Sequence, residues 1–221
     1  MCNVYLHRLD RAWDTRAFGV LVRFADDLLV VCKSRQQAQA ALARLRELLA
    51  ELGLAPKEAK TRIVELVVGG EGFDFLGFHH RMVRSRGVRG RRGVEFLARW
   101  PNDRAMQRAR EQIRELTLRS RLLLPVDAVV GDLNRFLRGW AGYFRYGHST
   151  ICFGKLQHYA TDRLSLFIGK RHKRGRGFGL SVLAYKSVDR CGLFSLSGTV
   201  IAPRADKPWR GKPNAGGERR R

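Results

Sequence analysis

The sequence predicts an α+β chain: an antiparallel sheet with helices up to about residue 100, then an α-helical bundle, then a basic tail. Three observations carry this. Residues 19–31 hold two apolar runs around Ala25-Asp26-Asp27, the pattern of a β-hairpin. Residues 35–52 and three stretches beyond Pro101 repeat apolar residues at helical spacing. From Pro203 onward the chain is polar, basic and rich in Pro and Gly, too poor in apolar groups to fold.

In chain order, Val4, Tyr5, Leu6, Leu9 and Trp13 mark a first helix. Two buried strands then flank the acidic pair, which sits at or near the hairpin tip. Ser34-Arg35-Gln36-Gln37 is a capping box, in which side chains satisfy the free N–H groups of a helix start. Behind it Ala38, Ala41, Leu42, Leu45, Leu48, Leu49 and Leu52 form one apolar face, and Gly53 ends the helix. Thr61 to Val68 reads as a strand, Gly69-Gly70 as a turn and Phe73 to Phe78 as a further short strand. Val94, Phe96, Ala98 and Trp100 alternate, as in a half-buried strand. Arg81 to Gly93, dense in Arg and Gly, reads as a loop between strands.

The period changes at Pro101. Asn102 or Asp103 caps a helix bearing Met106, Ala109, Ile113 and Leu116. Pro125 opens a second, with Val126, Val129, Val130, Leu133, Phe136, Leu137, Trp140 and Phe144 on one face, and Gly147 stops it. A third runs from about Phe153 to Lys170. The expected division is residues 1–100, a helical bundle over 101–174, a basic irregular extension over 175–202 and a disordered tail over 203–221.

Composition narrows the partners. The chain has 221 residues, 44% of them hydrophobic, and a formal net charge of +23. Such a charge repels itself in a compact fold and suits a polyanionic partner. Arg far outnumbers Lys, and its planar fork matches phosphate and stacks on bases. No apolar run is long enough to span a bilayer, so no membrane partner is expected. Cys2, Cys32, Cys152 and Cys191 are widely spaced and suggest neither a zinc module nor a disulfide framework. A reducing, cytoplasmic compartment fits.

Asp26 and Asp27 admit two readings. Asp is ordinary turn chemistry, because it hydrogen-bonds its own backbone. Alternatively, two adjacent carboxylates are hard oxygen ligands for a divalent cation such as Mg²⁺. Carboxylate-held metal pairs drive in-line attack at phosphorus.

Neighbouring motifs favour the second reading. Phe24-Ala25-Asp26-Asp27, then Pro56-Lys57-Glu58-Ala59-Lys60-Thr61, then Phe73-Asp74-Phe75-Leu76-Gly77-Phe78 stand in a fixed order. Leu133-Asn134-Arg135-Phe136-Leu137-Arg138-Gly139-Trp140-Ala141-Gly142-Tyr143-Phe144 follows. Together with Asn3 to Asp10, these segments resemble the C-terminal part of a bacterial group II intron reverse transcriptase and maturase, from the palm onward through the maturase-specific thumb, over about Asn3 to Arg174.

The resemblance implies residue roles. Asp26 and Asp27 match the catalytic, metal-binding pair, which implies a two-ion Mg²⁺ site for RNA-directed DNA synthesis. Lys60 matches a lysine able to stabilise the leaving pyrophosphate; a surface lysine is the competing reading. Phe75, Leu76 and Gly77 match the primer grip; a tight core strand is the competing reading, and the two are compatible. By their place on the more exposed side of the helix, Arg135, Arg138 and Arg145 offer contacts to a duplex backbone, with a solvated face as the competing reading; two basic runs offer phosphate contacts as well. One is Arg81, Arg84, Arg86, Arg89, Arg91 and Arg92; the other is Lys170, Arg171, Lys173 and Arg174. Gly139 and Gly142 lie inside a helix at a cost of about 1 kcal/mol each, which predicts a packing reason. Implied partners are group II intron RNA and an RNA template/DNA primer duplex.

The chain departs from the pattern in three places. A further metal-binding Asp and the fingers would lie upstream of Asn3. The expectation is therefore a truncated polymerase, unable to extend a primer alone, with a complementing N-terminal fragment as a possible partner. Phe24 stands where Tyr is usual. No nuclease-like His/Cys cluster follows the thumb. A non-enzymatic RNA-binding maturase module is the alternative.

Overall fold

The computed structural model describes residues 2–85, 93–185 and 192–202. They form a mixture of helices and small antiparallel sheets. The chain divides into two compact units, Met1–Leu76 and Gly77–Arg221.

In the first unit, helix α1 spans Cys2–Ala12 and turns Leu6 and Leu9 inward. Trp13, just beyond it, is buried and donates from Nε1 to the Gly19 carbonyl at 2.9 Å. A single-turn helix α2, Thr15–Phe18, follows; Asp14 caps it, accepting from the Arg16 amide at 2.8 Å. Strands β1 (Val20–Phe24) and β2 (Asp27–Val31) pair antiparallel, in a register running from Val20 opposite Val31 to Phe24 opposite Asp27. That register leaves Ala25-Asp26 as a two-residue loop.

These strands are half-buried, not buried as the apolar runs suggest. Leu21, Leu28 and Val30 pack on the core, while Val20, Val22, Phe24 and Val31 face solvent. Among the described residues a single layer of helix covers the sheet, so only one face is dry.

Helix α3, Arg35–Glu51, supplies Ala41, Leu45, Leu48 and Leu49 to that core. Ser34 Oγ accepts from the Gln37 amide at 3.2 Å. Gln37 Oε1 accepts in turn from Lys33 N, one residue before the position a standard capping box uses. Gly53, at φ +67°, ends the helix in the left-handed region.

Residues 61–67 form no strand, contrary to expectation. Their alternation is right for one, yet Ile63, Leu66 and Val67 stay exposed. A strand exists only where an edge accepts its ladder bonds, and residues 61–67 pair with no strand among the described residues. The segment Phe73 to Phe78 is likewise not one strand. Strand β3 (Phe73–Phe75) ends at a two-residue turn, Leu76-Gly77, with φ of +50° and +77°. Positive φ at both turn residues is the hairpin signature.

In the second unit, β4 (Phe78–Arg84) and β5 (Glu95–Pro101) pair antiparallel from Phe78 opposite Pro101 to Arg84 opposite Glu95. Arg81 and Arg84 therefore lie on a strand, not in the expected loop. The segment after Phe144 covers part of the β5 edge. The His148 amide donates to the Arg99 carbonyl at 2.7 Å, and Arg99 Nε donates to the Tyr146 carbonyl at 2.7 Å. A Cβ on Gly147 would lie 2.7 Å from that Arg99 carbonyl, so this glycine serves close approach.

Helix α4 spans Asp103–Leu116, and the cap is Asn102, whose Oδ1 accepts from the Ala105 amide at 2.8 Å. Helix α5 spans Val126–Phe144 and α6 Thr150–Arg171. Their stripes meet at Ile113, Leu133, Leu137, Leu156 and Leu164, all sealed from water. Each such side chain contributes about 1.5–3 kcal/mol of burial.

A fourth helix, α7 (Arg176–Tyr185), runs where the sequence suggests an irregular extension. Gly179 lets it cross α6: any Cβ there would overlap the Ser165 carbonyl. Residues 192–202 also belong to the core. Leu193 and Leu196 are buried, and side chains of α5 and α6 satisfy their backbone: Asn134 Oδ1 accepts from the Phe194 amide at 2.6 Å and Gln157 Oε1 from the Leu196 amide at 2.8 Å. The β4–β5 pair and the helices from α4 onward lie in the second compact unit, which begins at Gly77. No helix among the described residues is long and apolar enough to cross a membrane.

Candidate metal centre and nucleic-acid interface

Asp26 and Asp27 sit at the β1–β2 turn, both exposed. Among the described residues neither carboxylate has a hydrogen-bond or ion-pair partner. Among the described residues neither side chain makes the backbone bond of an Asx turn. Exposure also removes the burial cost that an unpaired carboxylate would carry in a core.

The turn is shaped by its neighbours. Ala25 has φ +54°, a left-handed conformation that costs a non-glycine residue about 1–3 kcal/mol. Arg23, half-buried on β1, donates from Nη1 to the Ala25 carbonyl at 3.0 Å. Its Nε and Nη2 fork the Asp10 carboxylate on α1, with Nε to Oδ1 at 2.9 Å. Hydrogen bonding from Arg23 holds the Asp10 carboxyl below its usual value, against the opposing effect of burial.

Two adjacent carboxylates with free oxygens suit a hard divalent cation. Mg²⁺ typically takes one or two protein carboxylates and completes its octahedron with water and phosphate oxygens. Among the described residues no group of three or more His, Cys, Asp or Glu side chains is placed to hold a metal. The pair therefore offers part of a coordination sphere, of the right donor chemistry.

Other expected site residues are dispersed. Lys60 ends a short 3₁₀ turn, Glu58–Lys60; it is exposed and makes no hydrogen bond or ion pair with Asp26 or Asp27. Phe75 ends β3, and Leu76 and Gly77 form the turn after it. The glycine at 77 is demanded by its φ; a Cβ there would meet only the Phe144 ring, at 3.5 Å.

The basic residues differ in how free their charges are. Arg84 pairs with Glu95, and Arg135 shares Asp132 with Arg121, whose hydrogen bond chiefly holds the Asp132 carboxyl below its usual range. Arg171 donates to the Leu122 and Leu124 carbonyls and so braces the loop before α5. Arg138 stands over the Phe194 ring at 5.4 Å and Arg145 over Tyr146 at 5.5 Å. Arg81 is half-buried on β4. Lys170, Lys173 and Arg174 are exposed at the end of α6 and make no side-chain hydrogen bond or ion pair among the described residues. Arg86, Arg89, Arg91 and Arg92 lie outside the described residues.

Along α5, Arg135, Arg138, Gly139, Gly142 and Tyr143 form an exposed face. The expected packing reason for the two glycines is not found among the described residues: none of them lies within 4 Å of a Cβ at either. Tyr143, 54% exposed, stacks on Phe78 with ring centroids 5.7 Å apart. Buried Trp140 and Phe144 face the core, as their spacing suggests.

The structural roles of Arg23, Asp10, Asn134, Arg99 and Gln157 depend on partners distant in sequence. A charge in the middle of an apolar run, as at Arg23, is a signal of such a partner in the sequence.

A basic, arginine-rich helical bundle, following in the chain a hairpin turn that carries two exposed carboxylates, suits the class of proteins whose partners carry phosphate. Two family models match in the same order. The reverse transcriptase (RNA-dependent DNA polymerase) model matches residues 1–80, and the group II intron maturase-specific domain model matches residues 106–183. No curated protein matches the sequence. Together the family matches cover more than half of the chain, which belongs to the group II intron reverse transcriptases/maturases and represents their C-terminal region.

Proposed function

We propose that residues 1–100 are the C-terminal part of the palm, that residues from 101 through α7 form the maturase-specific thumb, and that the protein acts on group II intron RNA. In this reading Asp26 and Asp27 are the metal-binding pair of RNA-directed DNA synthesis. The observation that carries it is the hairpin turn: two exposed carboxylates, without a hydrogen-bond or ion-pair partner among the described residues, on a braced backbone.

Mg²⁺ bound there would activate a primer 3′-hydroxyl and offset charge on the nucleotide phosphates. The chain's own groups do the rest. Arg23 and Asp10 hold the turn. The Phe75-Leu76-Gly77 turn would seat a primer strand. The exposed face of α5 and Lys170, Lys173 and Arg174 would follow the backbone of intron RNA or of a template/primer duplex.

The absence of a third metal-ligating side chain near the pair, among the described residues, favours a second reading, an RNA-binding maturase module without synthesis. Iron-directed cleavage separates the two. Fe²⁺ placed in a Mg²⁺ site, with ascorbate and peroxide, cuts the backbone beside it. The expected result is cleavage close to residues 24–29, suppressed by excess Mg²⁺ and lost in Asp26→Asn/Asp27→Asn. No cleavage there, or cleavage indifferent to both, would leave RNA binding as the function.

A further inference from the structure

We infer that Arg23 and Asp10 are positioning residues for the acidic turn: Arg23 links the Asp10 carboxylate to the Ala25 carbonyl and so sets the backbone from which Asp26 and Asp27 project. The inference rests on the reading of that pair as cation ligands.

The linkage is continuous in space. Leu6 and Leu9 root α1 in the core of the first unit, against Leu45 and Leu49 of α3. Asp10, on the last turn of α1, is thereby fixed. Its two oxygens receive Nε and Nη2 of Arg23, a fork-to-fork pairing that sets the plane of the guanidinium. The remaining terminal nitrogen, Nη1, is thus aimed at the Ala25 carbonyl, 3.0 Å away. Side chains of both partners are largely shielded, with 13% of Arg23 and 33% of Asp10 exposed.

Ala25 is where such a restraint matters. Its φ of +54° is a conformation that an alanine leaves readily if nothing holds it. Rotation there would swing the next two residues, which carry the carboxylates. Glycine would adopt this backbone more cheaply but would also give the turn more freedom. Lysine in place of arginine keeps the charge and loses the planar fork, so it cannot satisfy Asp10 in two places and Ala25 in a third.

Mn²⁺ binding, followed by the paramagnetic resonance of free Mn²⁺, tests the inference on the whole 221-residue chain. The wild type is expected to bind Mn²⁺ at a site lost in Asp26→Asn/Asp27→Asn. Arg23→Lys and Asp10→Asn are expected to weaken that site about tenfold, the size of effect that supporting residues have on metal affinity. Both should keep the wild-type helical circular dichroism. A second readout needs no metal: amide hydrogen exchange at Asp26 and Asp27 should accelerate in Arg23→Lys and Asp10→Asn, while exchange in α3 stays as it is. Mn²⁺ binding in neither the wild type nor the acidic-pair variant, or equal binding in both, would sink the metal reading alone, and exchange would still decide the clamp. Wild-type exchange at the turn in both clamp variants overturns the inference, as does unchanged Mn²⁺ affinity where the wild type binds.

Discussion

Asp10 and Arg23 show how a residue pair can be worth more for its geometry than for its energy. A part-shielded, bidentate ion pair of this kind contributes about 1–2 kcal/mol. Because Arg23 lowers the Asp10 carboxyl, that contribution is complete above the ordinary carboxylate range and fades as pH falls through the depressed value. Urea unfolding of wild type and Asp10→Asn should therefore differ by a constant amount from pH 7 down to about 5 and converge below about 4. A difference that persists unchanged to pH 3 would mean that the pair does not stabilise the fold through ionisation. The two cysteines whose side chains are described behave oppositely: burial pushes both the Cys32 and Cys152 thiols up, which keeps them protonated and unreactive at neutral pH.

At the level of elements, what the sequence reveals follows from where the deciding information lies. Helices α3, α4, α5 and α6 are legible because their signals are local: an apolar stripe, a Ser34 or Asn102 cap, a Pro125 start. The β1–β2 turn is legible for the same reason. Residues 61–67 are not, because a strand depends on a partner that the segment itself does not encode. Helix α7 is hidden differently. Gly175, Gly177 and Gly179 fall in the stretch that reads as a basic, irregular extension, whereas Gly179 is there because α7 and α6 touch through their backbones. Arg81 and Arg84 were masked by charge: a strand that carries arginines resembles a loop. The Asp26-Asp27 pair was visible in the sequence, but its support by Arg23 was not, since that depends on α1 lying beside β1. Gly179→Ala should accordingly destabilise the helical unit by about 1–3 kcal/mol, the range for overpacking a tight contact. Gly177→Ala, where a Cβ meets nothing within 4 Å, should be neutral or stabilising. Equal melting temperatures for the two variants would contradict the crossing of α7 over α6.

For the whole molecule, charge and fold give the same answer. A net charge of +23 is a standing cost unless a polyanion neutralises it, and the two family matches supply a reason for one. Ion pairs absorb part of that charge, as at Arg84–Glu95 and Arg121–Asp132. Lys170, Lys173 and Arg174 are available for phosphate, where each lost contact removes about one unit from the salt slope of binding. Nonspecific attraction alone would treat any polyanion alike, so the decisive comparison is between RNAs and simple acidic polymers.

The most direct measurement is the affinity of the chain for a folded group II intron RNA as a function of salt, beside an acidic polymer of equal charge. The account predicts binding to the intron RNA at least about tenfold tighter at about 0.15 M salt, with a shallower salt slope in Lys173→Ala/Arg174→Ala. Equal affinity for the RNA and the polymer, with a slope indifferent to those substitutions, would contradict it.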